Sequence, residues 1–376
     1  MTNLTRASYE WASRPAEERF LSVRELGEHA ASRRARSHES ARTLGSFRVR
    51  NDGDQLLLDG NNGKALAFTN WSFGQFSRLM KAPASFLREL QTSTVANILN
   101  ERVGQFASVN QKLLFTSPTD GGSTGSARAF TGPKYGRIWD DELADAVEYI
   151  NSDGRWHIPL AAYNGILSKQ STTIYGGDSG SFIFLVDEAR PIDVDGQTFF
   201  RGFYAWNSET GGATIGLCTF LYSMICQNRI IWGARDIQEK RIRHSSGAPE
   251  RFAREARPML AAVANSSDAP LVDAIRKAKD VRVASTDKGV EQWLKERGFA
   301  KADIVGAVKY AETGGVTGSR GDRRGLWDIV QGGTYLAQLE KSTPDRVRME
   351  RQFSNLLAPY MPAEQGLRID VEEGVA

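Results

Sequence analysis

FFRGFYAWNSETGGATIGLCTFLYSMICQNRIIW, residues 199–232, is the densest apolar and aromatic stretch of the 376-residue chain. Two apolar runs flank one polar cluster, Asn207, Ser208 and Glu209, which Gly211 and Gly212 close. A carboxylate set between apolar runs needs partners or water, so the cluster is either a surface turn or a hydrogen-bonded site. Upstream, residues 181–187 and 199–206 read as strands, and Asp195-Gly196 between them is a hairpin signal. Residues 213–232 continue as strand or buried helix, and periodicity does not decide between them.

Further out, residues 47–50, 55–58 and 65–68 read as short strands punctuated by Asn51-Asp52-Gly53 and Asn61-Asn62-Gly63. Ser72 with Gln75 three residues on has the form of a capping box, and helices are expected over 72–82, 86–90 and 94–105. Strands are expected at 113–116, 127–131 and 156–163, with a helix opened by Asp140 and Asp141, acids that a helix N-terminus favours. From residue 250 the pattern turns helical. The expected class is α+β, a central mixed or antiparallel sheet with helices at the N-terminal and C-terminal ends. The expected division is a polar basic helical arm at 1–45, an α+β core at 46–260 and a helical region at 261–376.

Composition narrows the function classes. Two cysteines, Cys218 and Cys226, exclude a disulfide framework and fit a reducing, cytoplasmic setting. Four scattered histidines give no zinc spacing, no stretch suits a membrane span, and no cofactor motif is complete. The net charge of +3 is unevenly spread. Residues 229–257 carry eight Lys and Arg against four acids, while 138–200 carry eleven acids against three bases. Such asymmetry fits either a basic face for a polyanion or a set of solvated helix faces. Arg128, Lys134, Arg137, Arg229, Arg235, Lys240, Arg241 and Arg243 are the candidate nucleic-acid contacts, with Tyr222 and Trp232 as nearby aromatics for stacking.

Other motifs are weaker. GGDSGS at 176–181 resembles the nucleophile loop of trypsin-like proteases, but the upstream histidine pattern is missing, and a glycine-rich turn suffices. GGVTGSRGDRRG at 314–325 lacks the Gly-Lys-Ser/Thr ending of a nucleotide loop, although Arg320, Arg323 and Arg324 are placed to touch phosphate. Asp178, Asp187, Asp193, Asp195 and Glu209 have no metal-ligand spacing. The helical hairpin expected at 289–311 has helix-turn-helix length but few bases on its second helix.

The Asn-Ser-Glu box with Cys226-Gln227-Asn228, the segment ARAFTGPKYGRIWDDEL, and flanking blocks at 70–90 and 326–338 together resemble the phage/plasmid-like family of unknown function. The resemblance covers roughly residues 65–357 and marks Asn207, Ser208, Glu209, Gly211, Cys226 and Asn228 as signature residues without assigned roles. Two departures stand out: Thr210 in place of the family's Val, and Arg229 where a Gly follows the Asn. The family occurs in phages, prophages and conjugative plasmids, so the resemblance implies a mobile-element setting rather than a reaction. The expectation is a cytoplasmic, homo-oligomeric protein that binds or anneals single-stranded DNA without catalysis. The alternatives are a protein-binding host-takeover or anti-defence factor, and an enzyme centred on the box.

Overall fold

A computed structural model describes residues 14–59, 65–118, 122–160, 164–223, 231–232, 240–264, 267, 269–313, 321–339, 348–349, 352–353 and 355–360. The strands are β1 (Arg19–Phe20), β2 (Ser37–Thr43), β3 (Val49–Asp52), β4 (Gln55–Asp59), β5 (Ala65–Phe68), β6 (Asn110–Thr116) and β7 (Thr124–Thr131). They continue with β8 (Ile174–Gly177), β9 (Gly180–Val194), β10 (Gln197–Asn207), β11 (Ile215–Ser223), β12 (Ile231–Trp232) and β13 (Lys240–Ile242). The helices are α1 (Val23–Ala35), α2 (Asn70–Leu79), α3 (Ala84–Leu87), α4 (Thr92–Gln105) and α5 (Asp140–Ile150). The rest follow the sheets: α6 (Ala248–Ala264), α7 (Ala269–Asp280), α8 (Asp287–Glu296), α9 (Lys301–Thr313) and α10 (Leu326–Leu339).

The class is α+β, and the strands form two sheets rather than one. The first runs β1-β8-β9-β10-β11-β12, with β13 also on β11, and every pairing is antiparallel. The second runs β2-β6-β7-β5-β4-β3 and is mixed, because β5 and β7 are parallel. Residues 213–232 are thus resolved in favour of strand as far as Ser223. The β9–β10 hairpin turns at Asp195-Gly196 with both residues at positive φ, 52° and 78°, the primed-turn geometry that Asp-Gly favours. Alternation along this hairpin sends Ile183, Leu185, Phe203 and Ala205 into one core, and Phe182, Phe184, Tyr204 and Trp206 into another.

Residues 16–43 are built into the fold instead of forming an arm. Ser22 caps α1 by accepting from the Glu25 N–H at 3.0 Å, and Glu25 returns to the Leu21 N–H at 2.6 Å. Val23, Leu26 and Ala30 then bury one narrow stripe of the helix against the first core, and β2 becomes an edge of the second sheet. The helix at 70 starts one turn earlier than Ser72: Thr69 and Ser72 make the reciprocal cap, and Gln75 is left for another task. Residues 156–163 carry only a single bridge, His157 to Val186, among the described residues. Asn61-Asn62-Gly63 lies outside the described residues.

The C-terminal helices α7–α10 have their own core, into which the tip of the β9–β10 hairpin inserts Val194 and Phe199. Lys279 donates to the Val194 carbonyl at 2.7 Å, and the Trp327 indole donates to Gln197 at 3.2 Å. The helical region is therefore anchored on a sheet tip. Among the described residues no helix is long and apolar enough to cross a membrane. Phe199 is fully buried. Phe199→Ala is expected to cost about 3–5 kcal/mol and to loosen α7–α10 first. Urea unfolding with amide hydrogen exchange checks this; uniform loss of protection across both sheets would contradict it.

Candidate functional site

The β9–β10 register places Ser181 opposite Asn207, at the end where both strands meet the start of α5. The chain then turns through Ser208–Gly212, with Gly211 at φ +86°. Asn207, Ser208, Glu209 and Thr210 are all buried, the glutamate at 1 % exposure. Of the two readings open from sequence, the hydrogen-bonded site is the one realised.

Glu209 sits among groups from three separate elements. One carboxylate oxygen faces Arg33 of α1 at 3.0 Å and Arg128 of β7; the other accepts from the Asp140 N–H at 3.1 Å. That N–H belongs to the first turn of α5, where backbone donors have no partner in the helix and the dipole favours an anion. Asp140 is itself fully buried and accepts from Arg33 at 3.0 Å, Asn207 at 2.7 Å and Ser181 at 2.9 Å. Arg137 donates to the Glu209 carbonyl and pairs with Glu39 of β2 at 2.8 Å.

The flanking box residues stitch the loop to its surroundings. Ser208 Oγ donates to the Ser179 carbonyl and Thr210 Oγ1 to the Asp178 carbonyl, both at 2.7 Å. The Thr210 carbonyl accepts from Trp71 Nε1 at 3.2 Å and Gln75 Nε2 at 2.8 Å, while Gln75 Oε1 accepts from the Phe130 N–H at 3.0 Å. Tyr135 closes the other side, its hydroxyl donating to the Ser208 carbonyl at 2.7 Å.

The two carboxyls titrate in opposite directions. Burial, then the adjacent Glu209 charge, pushes Asp140 up to about 7 from its ordinary 3.8. Burial alone would raise Glu209 as well, but Arg33 and Arg128 overcome it and hold that carboxyl below its ordinary value. Glu209 thus carries the negative charge of the cluster and Asp140 shares it only above neutrality. Both carboxyls are enclosed and met by protein donors.

The predicted basic contacts separate. Arg128 and Arg137 are buried at 2 % and 7 % exposure and neutralise carboxylates, so they are not surface contacts for a phosphate backbone. Lys134, Arg241 and Arg243 are exposed. The turn carrying Lys134 is tied to the segment after β13 by the Gly136 N–H on the His244 carbonyl at 3.2 Å. Lys240 lies in β13. His244 is buried, stacked on Tyr135, and its ring is held down to about 4, first by burial, so it adds no charge to this run at neutral pH. Cys226, Asn228, Arg229 and Arg235 lie outside the described residues, as do the side chains of Tyr222 and Trp232. In the glycine-rich C-terminal loop, Arg323 and Arg324 are paired with Asp287 at 2.8 and 3.0 Å, and Arg320 lies outside the described residues. Among the described residues no group of three or more His, Cys, Asp or Glu is placed to hold a metal.

Beside the box lies a solvent-open cleft of about 650 Å³ that was not singled out from the sequence. One wall is the α2–α3 corner, with Trp71, Gln75, Arg78, Lys81 and Arg88. Glu18, Asp178 and Ser179, from other elements, complete the lining. Arg88 is ordered by Asn70 Oδ1 at 2.7 Å and lies over the Phe73 ring at 5.1 Å, while the Lys81 ammonium lies 5.4 Å from the Phe106 ring. The Arg78 guanidinium is exposed and makes no hydrogen bond or ion pair among the described residues. Phe86, in α3 between these cations, is 54 % exposed. The exposed tip Gly211-Gly212 lies against the cleft lining: a Cβ on Gly212 would meet the Ser179 carbonyl at 2.8 Å and Trp71 at 3.0 Å, and one on Gly211 would meet Gln75 at 3.5 Å and Tyr135 at 3.9 Å. No protein-family model, curated protein or solved structure matches the chain.

The ionisation pattern sets a stability test. The folded chain holds the Asp140 proton more tightly than the unfolded chain does. Its contribution is therefore fully present below about pH 4 and is lost as pH rises through about 7. Glu209 works in the opposite sense, and its contribution is lost only as pH falls through its lowered value. Glu209→Gln, which strips two buried arginines of their counter-charge, is expected to cost about 3–5 kcal/mol at pH 7. Asp140→Asn is expected to cost less and to flatten the decline in stability between about pH 5 and 8. Urea midpoints across that range for both variants check it; equal costs, or an unchanged slope in Asp140→Asn, would contradict the assignment.

Proposed function

We propose that the protein binds single-stranded nucleic acid without catalysing a reaction, through the cleft beside the Asn-Ser-Glu box. The cleft carries the reading. A strand without a partner is held by cations that follow its phosphates and by aromatic surfaces that meet its bases, and neither needs a reactive group. Arg78, Lys81 and Arg88 supply the first, and Trp71 in the cleft the second, with the exposed Phe86 of α3 outside its lining as a further surface. The Gly211-Gly212 tip, with no side chains of its own in the way, leads from the cleft toward Tyr135, Lys134, Arg241 of β13 and Arg243 just after it. Six cations on one path have the character of a phosphate track, and three of them, Lys134, Arg241 and Arg243, belong to the set expected from sequence.

The resemblance to the phage/plasmid-like family supports a setting in replication or recombination of a mobile element. In that setting the protein acts on DNA in the cytoplasm as a homo-oligomer, and annealing is its most concrete task. Arg128 and Arg137 enter this reading only by holding the box that backs the cleft.

Fluorescence anisotropy with labelled single-stranded and duplex DNA over a salt series tests the proposal. Single strands are expected to bind more tightly, with affinity falling linearly in log–log form as salt rises. Arg78→Glu with Lys81→Glu is expected to weaken binding more than about tenfold at low salt and to reduce the slope by about 1.4, two phosphate contacts on a single strand. Absence of binding at low salt, or a double variant indistinguishable from wild type, would overturn it.

A further inference from the structure

The cleft has an acidic side that a simple phosphate track does not need. Asp178 sits in the turn between β8 and β9, half-buried, and lines the same cleft as the α2–α3 cations, its charge also felt by Arg33. Its carboxylate makes no hydrogen bond or ion pair among the described residues, whereas Glu18 beside it is paired with Arg14 at 2.6 Å. The backbone under Asp178 is fixed: its carbonyl accepts from Thr210 Oγ1 and the next carbonyl from Ser208 Oγ, each at 2.7 Å. An acceptor held on a braced turn, in one cleft with exposed cations, fits a ligand that is anionic at one edge and a hydrogen-bond donor at the other.

Nucleotides have that form, and the bases differ at the donor edge. An ionised carboxylate only accepts. The Watson–Crick edge of guanine offers two adjacent donors, N1–H and the N2 amino group, that a carboxylate meets with both oxygens. Adenine and cytosine present one amino donor beside a ring-nitrogen acceptor, and thymine one N–H between two carbonyls. That edge is free only when the base is unpaired. Building on the single-strand reading above, we infer that the cleft reads guanine in a single strand: Asp178 accepts from its Watson–Crick edge while Arg78, Lys81 and Arg88 hold the flanking phosphates. Gly74, on the cleft face of α2, leaves the space between the two sides open: a Cβ there would meet only Arg88 Nη2, at 3.9 Å.

The test uses the full chain and labelled oligothymidylates of about a dozen nucleotides, a length within the span of a single-strand site. The central positions carry thymine, guanine, or hypoxanthine, which lacks the N2 amino group. Guanine is expected to improve binding about tenfold over thymine, the scale of one good bidentate contact, and hypoxanthine to lose most of that gain. Asp178→Ala and the near-isosteric Asp178→Asn are expected to abolish the guanine preference while keeping thymine binding and its salt slope. Equal affinities for the three strands in wild type, or a preference that survives both substitutions, overturns the inference and leaves the single-strand reading standing. No strand bound at low salt overturns both. Guanosine monophosphate competing as well as the guanine-bearing strand overturns the assignment to a strand and places a free nucleotide in the cleft.

Discussion

Glu209 cannot be buried alone, and the arrangement of the central part of the chain follows from that. An ionised carboxylate in the interior is tolerable only with counter-charges and hydrogen bonds around it. Here they arrive from α1 through Arg33, from β7 through Arg128 and from the first turn of α5 through the Asp140 N–H. Those groups belong to both sheets and to the helices packed on them. Each has one place to be if the charge is to be satisfied. Such a cluster adds little net stability, because desolvating four charged groups offsets their attraction. Its effect is on register: a slip of β10 by one residue would point Asn207 away from Asp140 and Ser181.

Apolar periodicity carried the legible part of the fold. The short apolar runs at 181–187 and 199–206 identified parts of β9 and β10, Asp195-Gly196 identified their turn, and the pattern after residue 250 identified a helical region. These signals are local, so a single stretch contains them. The box partners are not local. Arg33 lies in a segment whose composition reads as solvated arm, because a helix that buries only Val23, Leu26 and Ala30 has a narrow apolar stripe. The burial of its arginine head is decided by a carboxylate elsewhere in the chain. Asp140 looks like an ordinary acid at a helix start and is one, but the helix start is indoors. The cleft escaped for a related reason: Arg78, Lys81 and Arg88 are ordinary for a helical corner, and only the tertiary approach of the β8–β9 turn gives them an opposite wall.

The box and the cleft divide the labour of charge. Inside, Glu209, Asp140, Arg33 and Arg128 satisfy one another and leave no face for a ligand. Outside, Arg78 and Asp178 make no hydrogen bond or ion pair among the described residues and line the open cleft, although the Asp178 charge is felt by Arg33. The loop that joins the two regions is short. Thr210 follows Glu209 directly, and its carbonyl is gripped from the cleft wall by Trp71 and Gln75. The buried cluster therefore braces the loop that backs the cleft, while Arg78 in the cleft makes no ion pair among the described residues.

This division explains why counting charge along the chain misplaces an interface. Lys134 and Arg137 are three residues apart in one turn, yet Lys134 is exposed and Arg137 is sealed against the Glu209 carbonyl. The difference comes from Gly136 between them. A Cβ there would lie 1.8 Å from the Ser245 carbonyl, so only glycine lets the turn close on the segment after β13. Once it closes, Tyr135 is drawn onto His244 and Ser208, the arginine follows it inward, and the lysine is left at the surface. Whether a cation near this box serves folding or binding is thus set by a backbone contact rather than by the charge pattern.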